Sequence, residues 1–114
     1  MKIAILGGQL NENNYQKLDS KLNSLMEEKG IFLFYILCGG CSKNVLPKPT
    51  LGSVWAERNG APIYRIYEPT PAHLIRKILQ EADYIFFFLT PENQKIKNAL
   101  MQYKMMGKHG TIIK

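Results

Sequence analysis

The stretch Ile31-Phe32-Leu33-Phe34-Tyr35-Ile36-Leu37-Cys38-Gly39-Gly40 decides how the chain is read. A continuous apolar run of this length, rich in aromatic and β-branched residues and closed by glycines, predicts a strand buried on both faces. It is too short to span a membrane. The glycine pair at its carboxyl end allows a sharp turn and close approach by a ligand, because no Cβ stands in the way. The same grammar recurs on both sides. Lys2 to Leu6 runs into Gly7-Gly8, and Tyr84 to Leu89 runs into Thr90-Pro91. Strands that each end in turn or helix-start chemistry are what an open parallel sheet with a ligand crevice at its carboxyl edge requires.

Working outward, the segments between these strands have helical periodicity. After Gly7-Gly8-Gln9, the cluster Asn11-Glu12-Asn13-Asn14 is suited to capping, and Tyr15, Leu18, Leu22, Leu25 and Met26 recur at helical spacing until Lys29-Gly30. Beyond Gly40, periodicity is lost from Cys41 to Pro49, a loop longer than most strand-to-helix connections and therefore a candidate functional segment. Thr50 then starts a short helix carrying Leu51, Val54 and Trp55, stopped by Asn59-Gly60. Ile63 to Tyr67 follows as a strand whose apolar run is broken by Arg65, a mark of a sheet edge. Thr70-Pro71 opens a third helix with Leu74, Ile75, Ile78 and Leu79 on one stripe. Thr90-Pro91-Glu92 repeats that signature before a fourth helix lined by Ile96, Leu100 and Tyr103, which runs to Gly107, and Thr111 to Ile113 closes the chain as a strand.

This alternation predicts one α/β domain over residues 1–114, with a Rossmann-like, five-stranded parallel sheet in the order 3-2-1-4-5 and helices on both faces. Ile5, Phe34, Ile36, Phe86 and Phe88 are expected in its core. Composition agrees: 114 residues with 46% hydrophobic content can bury a core unaided. Two cysteines are too few for a disulfide framework, and the opening apolar stretch lacks the length and cleavage site of a leader, which favours the cytoplasm. The net charge of +6 is distributed along the chain as a field, with no basic-aromatic stripe of the kind that binds single-stranded nucleic acid.

The expected crevice gathers Gly7-Gly8-Gln9, Gly39-Gly40-Cys41 and Thr90-Pro91-Glu92 beside helix amino termini that favour anions, so a phosphate-bearing small molecule is the expected guest. Lys43, Lys48 and Arg58 stand nearest and could neutralise it, or belong to solvated surface. Glu57 is either a general base or ribose ligand, or a solvated acid. Glu92 is either a catalyst or a partner of the helix dipole. Trp55 either stacks on a base or fills the core. Asp83 begins a strand at the opposite edge and is excluded. Cys38-Gly39-Gly40-Cys41 satisfies C-x-x-C, but no helix opens directly after it, and His73 and His109 are poorly placed to complete a metal site. G-x-G-x-x-G is not completed after Gly7-Gly8, and no cofactor or metal is expected.

These residues also carry a family likeness. A strand ending in Gly-Gly, a second ending in Cys-Gly-Gly, the run Leu51-Gly52-Ser53-Val54-Trp55-Ala56-Glu57-Arg58-Asn59-Gly60-Ala61-Pro62, Ala82-Asp83 before an apolar strand, and Lys108 beyond a helix together resemble the SLOG superfamily, and within it the YspA-like group. The likeness covers essentially the whole chain. It implies a Rossmann-like domain that binds nucleotides or nucleotide-derived signals as a sensor or an enzyme, is consistent with a homodimer, and places ligand contacts at Gly7, Gly8, Gly39, Gly40, Gly52, Ser53 and the turn at Thr90. Two departures shape the functional expectation. The phosphoribohydrolase branch has a P-G-G-x-G-T-x-x-E loop where this chain has Thr90-Pro91-Glu92-Asn93-Gln94, and Gly52-Ser53 stands where closer relatives tend to have an acid. The expectation is therefore a binding module, with a nucleotide-processing enzyme using Glu57 or Glu92 as the alternative and single-stranded nucleic-acid binding as a weaker one.

Overall fold

A computed structural model describes residues 1–30, 34–40 and 48–113. Its elements alternate as the sequence predicts: β1 (Lys2–Leu6), α1 (Glu12–Lys29), β2 (Tyr35–Gly40), α2 (Leu51–Asn59), β3 (Ile63–Tyr67), α3 (Pro71–Glu81), β4 (Tyr84–Phe88), α4 (Gln94–Met105) and β5 (Gly110–Ile113). All neighbouring strands pair in parallel, in the order β3-β2-β1-β4-β5. β1 is therefore the middle strand, and Arg65 does lie on an edge strand.

Alternation along the strands divides the core between two faces. Ile3, Ile36, Phe86 and Phe88 meet Leu18, Leu22 and Leu25 of α1 and Leu51, Trp55 and Ala56 of α2. On the other face, Ala4, Leu6, Ile85 and Phe87 meet Ile78 and Leu79 of α3 and Ile96, Ala99 and Tyr103 of α4. Two expected core residues are only partly buried, Ile5 and Phe34. Ile5 sits where the sheet opens toward a cleft, and Phe34 precedes β2, its ring tilted against Trp55 with centroids 6.0 Å apart. Tyr35 opens β2 in an exposed position, so that strand is buried over Ile36–Cys38 rather than along its whole length. Residues 31–33 of the predicted strand lie outside the described residues.

Helix termini follow local chemistry. Asn11 caps α1 by accepting the Asn14 N–H at 2.8 Å, and Gly30 ends it at φ +61°. Thr70 caps α3 with Pro71 in the first turn. α3 ends without a left-handed glycine. There the Lys108 ammonium donates to the carbonyls of Leu79, Gln80 and Ala82 at 3.0, 2.8 and 3.3 Å, so a cation from beyond α4 satisfies the carboxyl end of a different helix. The fourth helix departs from expectation. It begins at Gln94 with Asn93 as its cap, and Thr90-Pro91-Glu92 forms a turn before it, with the Thr90 carbonyl accepting the Asn93 N–H at 3.2 Å. Glu92 is therefore not in the first turn of a helix.

Candidate functional site at the carboxyl edge

From β1 the chain leaves through α1 toward β2, and from β4 it leaves through α4 toward β5, on the other face and in the opposite direction. Between two strands whose connections diverge, the carboxyl edge of a parallel sheet must open into a crevice. A cleft of about 660 Å³ lies there.

Its β1 wall is Gly7-Gly8-Gln9. Both glycines have positive φ, +79° and +84°. A Cβ at Gly7 would stand 2.7 Å from the Phe88 carbonyl oxygen, and one at Gly8 would stand 3.0 Å from the Phe88 ring and 3.2 Å from Leu51. Glycine is thus required twice over, by conformation and by the closeness of the β1–α1 turn to β4 and α2. The Asn14 amide holds this turn in shape by donating to the Gln9 carbonyl at 2.9 Å.

The second wall is the start of α2. Thr50 and Ser53 form a reciprocal capping box: the Thr50 hydroxyl accepts the Ser53 N–H at 3.2 Å, and the Ser53 hydroxyl accepts the Thr50 N–H at 2.9 Å while donating to the Thr50 carbonyl at 3.1 Å. Capping leaves the N–H groups of Leu51 and Gly52, in the first helical turn, without intrahelical acceptors, and both residues line the cleft. Gly52 seats the helix closely, since a Cβ there would come within 3.2 Å of Ile5.

Leu89, Thr90, Glu92 and Asn93 complete the rim, and Ile5, Phe88 and Ile113 contribute apolar surface. Glu92 is exposed and is the charged side chain among the described lining residues.

Of the residues expected at a ligand site, the structure brings together Gly7, Gly8, Gln9, Gly52, Thr90 and Glu92. Others lie elsewhere. Gly39 and Gly40 are inside β2, paired with Ile66 and Tyr67, and neither has a positive φ. A Cβ at Gly39 would meet Leu74 at 2.6 Å, so this glycine makes room for α3. A Cβ at Gly40 would stand 3.5 Å from the Tyr67 ring, an ordinary contact. Ser53 is buried, its hydroxyl committed to the cap. Pro91 is outside the lining, its carbonyl accepting from the Lys97 ammonium at 3.2 Å. Glu57 is exposed on α2 and Arg58 covers the Tyr15 ring at 4.6 Å, both away from the cleft. Lys48 is exposed. Cys41 and Lys43 lie outside the described residues. Trp55 is core, its indole N–H donating to Asp19 at 2.9 Å.

Cys38 is a buried free thiol, and burial pushes its pKa up, the opposite of what a redox nucleophile needs. Among the described residues no group of three His, Cys, Asp or Glu side chains could hold a metal ion, and no helix is long and apolar enough to cross a membrane. Sequence reading missed Asn14, Leu51 and Asn93. The asparagine-rich cluster and the capping position before Ile96 were the available signals for two of them. The chain matches no protein-family model and no curated protein. Function is therefore read from the cleft itself.

Proposed function

We propose that the protein binds a nucleotide or nucleotide-derived small molecule in this cleft, as a sensor or sequestering module. The observation that supports the reading best is the meeting of the Gly7-Gly8 turn with the uncapped Leu51 and Gly52 N–H groups at the switch point of the sheet. A phosphate set there receives backbone donors and the positive end of a helix dipole. Amide and hydroxyl groups of Gln9, Asn14, Thr90 and Asn93 offer hydrogen bonds to a sugar, and Ile5, Leu10 and Phe88 supply apolar surface for a base.

The same cleft supports a second reading, a nucleotide-processing enzyme, because Glu92 places a carboxylate on its rim. Glu57 has no place in that reading from its position outside the lining. Hydrolysis of a glycosidic bond commonly recruits two carboxyl groups, and Glu92 has no second acid beside it among the described lining residues. Binding is therefore the preferred function. A cytoplasmic setting belongs to this reading and accords with the free thiol at Cys38. The homodimer suggested by the superfamily likeness is checked by light scattering.

A thermal-shift screen of nucleoside mono-, di- and cyclic phosphates and ADP-ribose derivatives tests the proposal. A ligand at a hundredfold excess over Kd stabilises the fold by about 2.7 kcal/mol, a melting shift on the order of 10 °C for a domain of this size. Thr90→Trp, at an exposed rim position, should fill the cleft and abolish the shift while leaving the unliganded melt nearly unchanged. Absence of any shift across the panel rejects the proposal. Multiple turnovers lost in Glu92→Gln with folding retained would establish the enzyme instead.

A further inference from the structure

The two edges of the sheet are built differently. β3 carries the exposed Arg65 on the strand, is flanked by Pro62 and Pro69, and has Tyr64 covered by the Lys2 ammonium 4.9 Å above its ring. Charge and proline beside an edge discourage a further strand from adding. β5 has neither within Gly110-Thr111-Ile112-Ile113, and Ile112 is 38% exposed.

Hydrogen-bond direction shows which groups this edge offers. Leu89 donates to the Ile113 carbonyl at 3.0 Å, so Ile113 faces β4. Successive strand residues point their N–H and C=O groups to opposite edges, and Ile112 therefore presents both of its groups outward. Beside that edge runs a groove of about 640 Å³, walled by Ile112 and Ile113 on one side and by α1 on the other. The helix contributes Lys17 and Lys21, one turn apart, together with Asn13, Gln16 and Ser20, and among the described residues no acidic side chain belongs to the lining.

We infer that β5 is a docking edge for an extended acidic segment of a partner protein, which adds as a sixth strand. Main-chain bonds to Ile112 would supply affinity, and alternating side chains would supply specificity. The register of Ile112 with Phe87 and of Ile113 with Phe88 puts those two residues on opposite faces of the sheet. An added strand therefore turns one set of side chains toward the α1 lysines and the other toward exposed Ile112. The complementary pattern is acidic residues alternating with apolar ones. Charge also selects against a second copy of this chain. Two copies paired edge to edge would bring like-charged α1 walls together in a protein of net charge +6.

The test uses two synthetic, end-capped peptides, one alternating glutamate with valine and one alternating lysine with valine, added to the whole protein. Hydrogen exchange should show the Ile112 amide protected by the Glu-Val peptide, which should bind at least about tenfold more tightly than the Lys-Val peptide. Ile112→Pro removes the outward donor while sparing the bonds to β4, and should abolish binding with the melting temperature retained. If that variant fails to fold, the pair Lys17→Glu and Lys21→Glu replaces it and should reverse the preference between peptides. Equal binding of both peptides, an Ile112 amide left unprotected, or a protein that dimerises through β5 would each overturn the inference.

Discussion

β1 and β2 both end in a glycine pair, and the two pairs do opposite things. At Gly7-Gly8 the chain turns with positive φ at both residues, packs against the Phe88 carbonyl and ring, and lines the cleft. At Gly39-Gly40 the chain continues as strand, hydrogen-bonded in register to β3, and the missing side chains are used up by Leu74 and the Tyr67 ring. The same dipeptide therefore supplies backbone conformation in one place and volume in the other. What separates them is position in the sheet. β1 is the middle strand and ends at the switch point, whereas β2 lies one strand toward the β3 edge, beneath α3.

Alanine substitutions break or sharpen this contrast. The largest effect is expected for Gly7→Ala, where a Cβ meets a backbone oxygen that cannot move aside and the φ of +79° is strained for any side chain. A loss of about 3 kcal/mol in chemical denaturation follows. A loss below about 1 kcal/mol would mean that the turn relaxes and that the contrast is overstated.

Gly39→Ala comes next. Its Cβ would meet the end of the Leu74 side chain, which can change rotamer, so a cost of about 1 kcal/mol is expected. Leu74→Ala should relieve that cost in a double-mutant cycle, and strict additivity of the two changes would show that they do not touch.

The smallest effect belongs to Gly40→Ala, whose Cβ finds ordinary contact at 3.5 Å. Replacing glycine in extended backbone is neutral or stabilises by up to about 1 kcal/mol. This variant should also keep any ligand-induced melting shift in full, because Gly40 is outside the cleft. Loss of that shift would return the second glycine pair to the binding site.

A second pair of identical dipeptides carries the same lesson. Thr70-Pro71 and Thr90-Pro91 present one helix-start signature, and it operates only at the first. The Thr70 hydroxyl accepts the His73 N–H at 3.2 Å and α3 begins at Pro71. At Thr90 it is the main-chain carbonyl that is used, in a turn to Asn93, and the Asn93 side chain caps α4 by accepting the Ile96 N–H at 3.3 Å. Two capping residues three positions apart compete on nearly equal local terms. The winner is the one that lets Ile96, Ala99 and Tyr103 reach the core.

Sequence by itself determined the element order, the parallel sheet and its strand order, the edge position of β3, and four of the helix stops and starts: Gly30, Thr50, Gly60 and Thr70. These follow from apolar runs, periodicity and capping chemistry that act within a few residues of chain. Tertiary structure alone decided which glycines line the cleft, that the Ser53 hydroxyl is consumed by a cap, that Glu92 reaches the cleft rim while Glu57 does not, and that Lys108 closes α3 from twenty-six residues beyond Ala82. Each of these depends on what lies opposite a residue across the sheet or beneath a helix. Such a neighbour is far away in the chain, and a local pattern of residues carries no record of it.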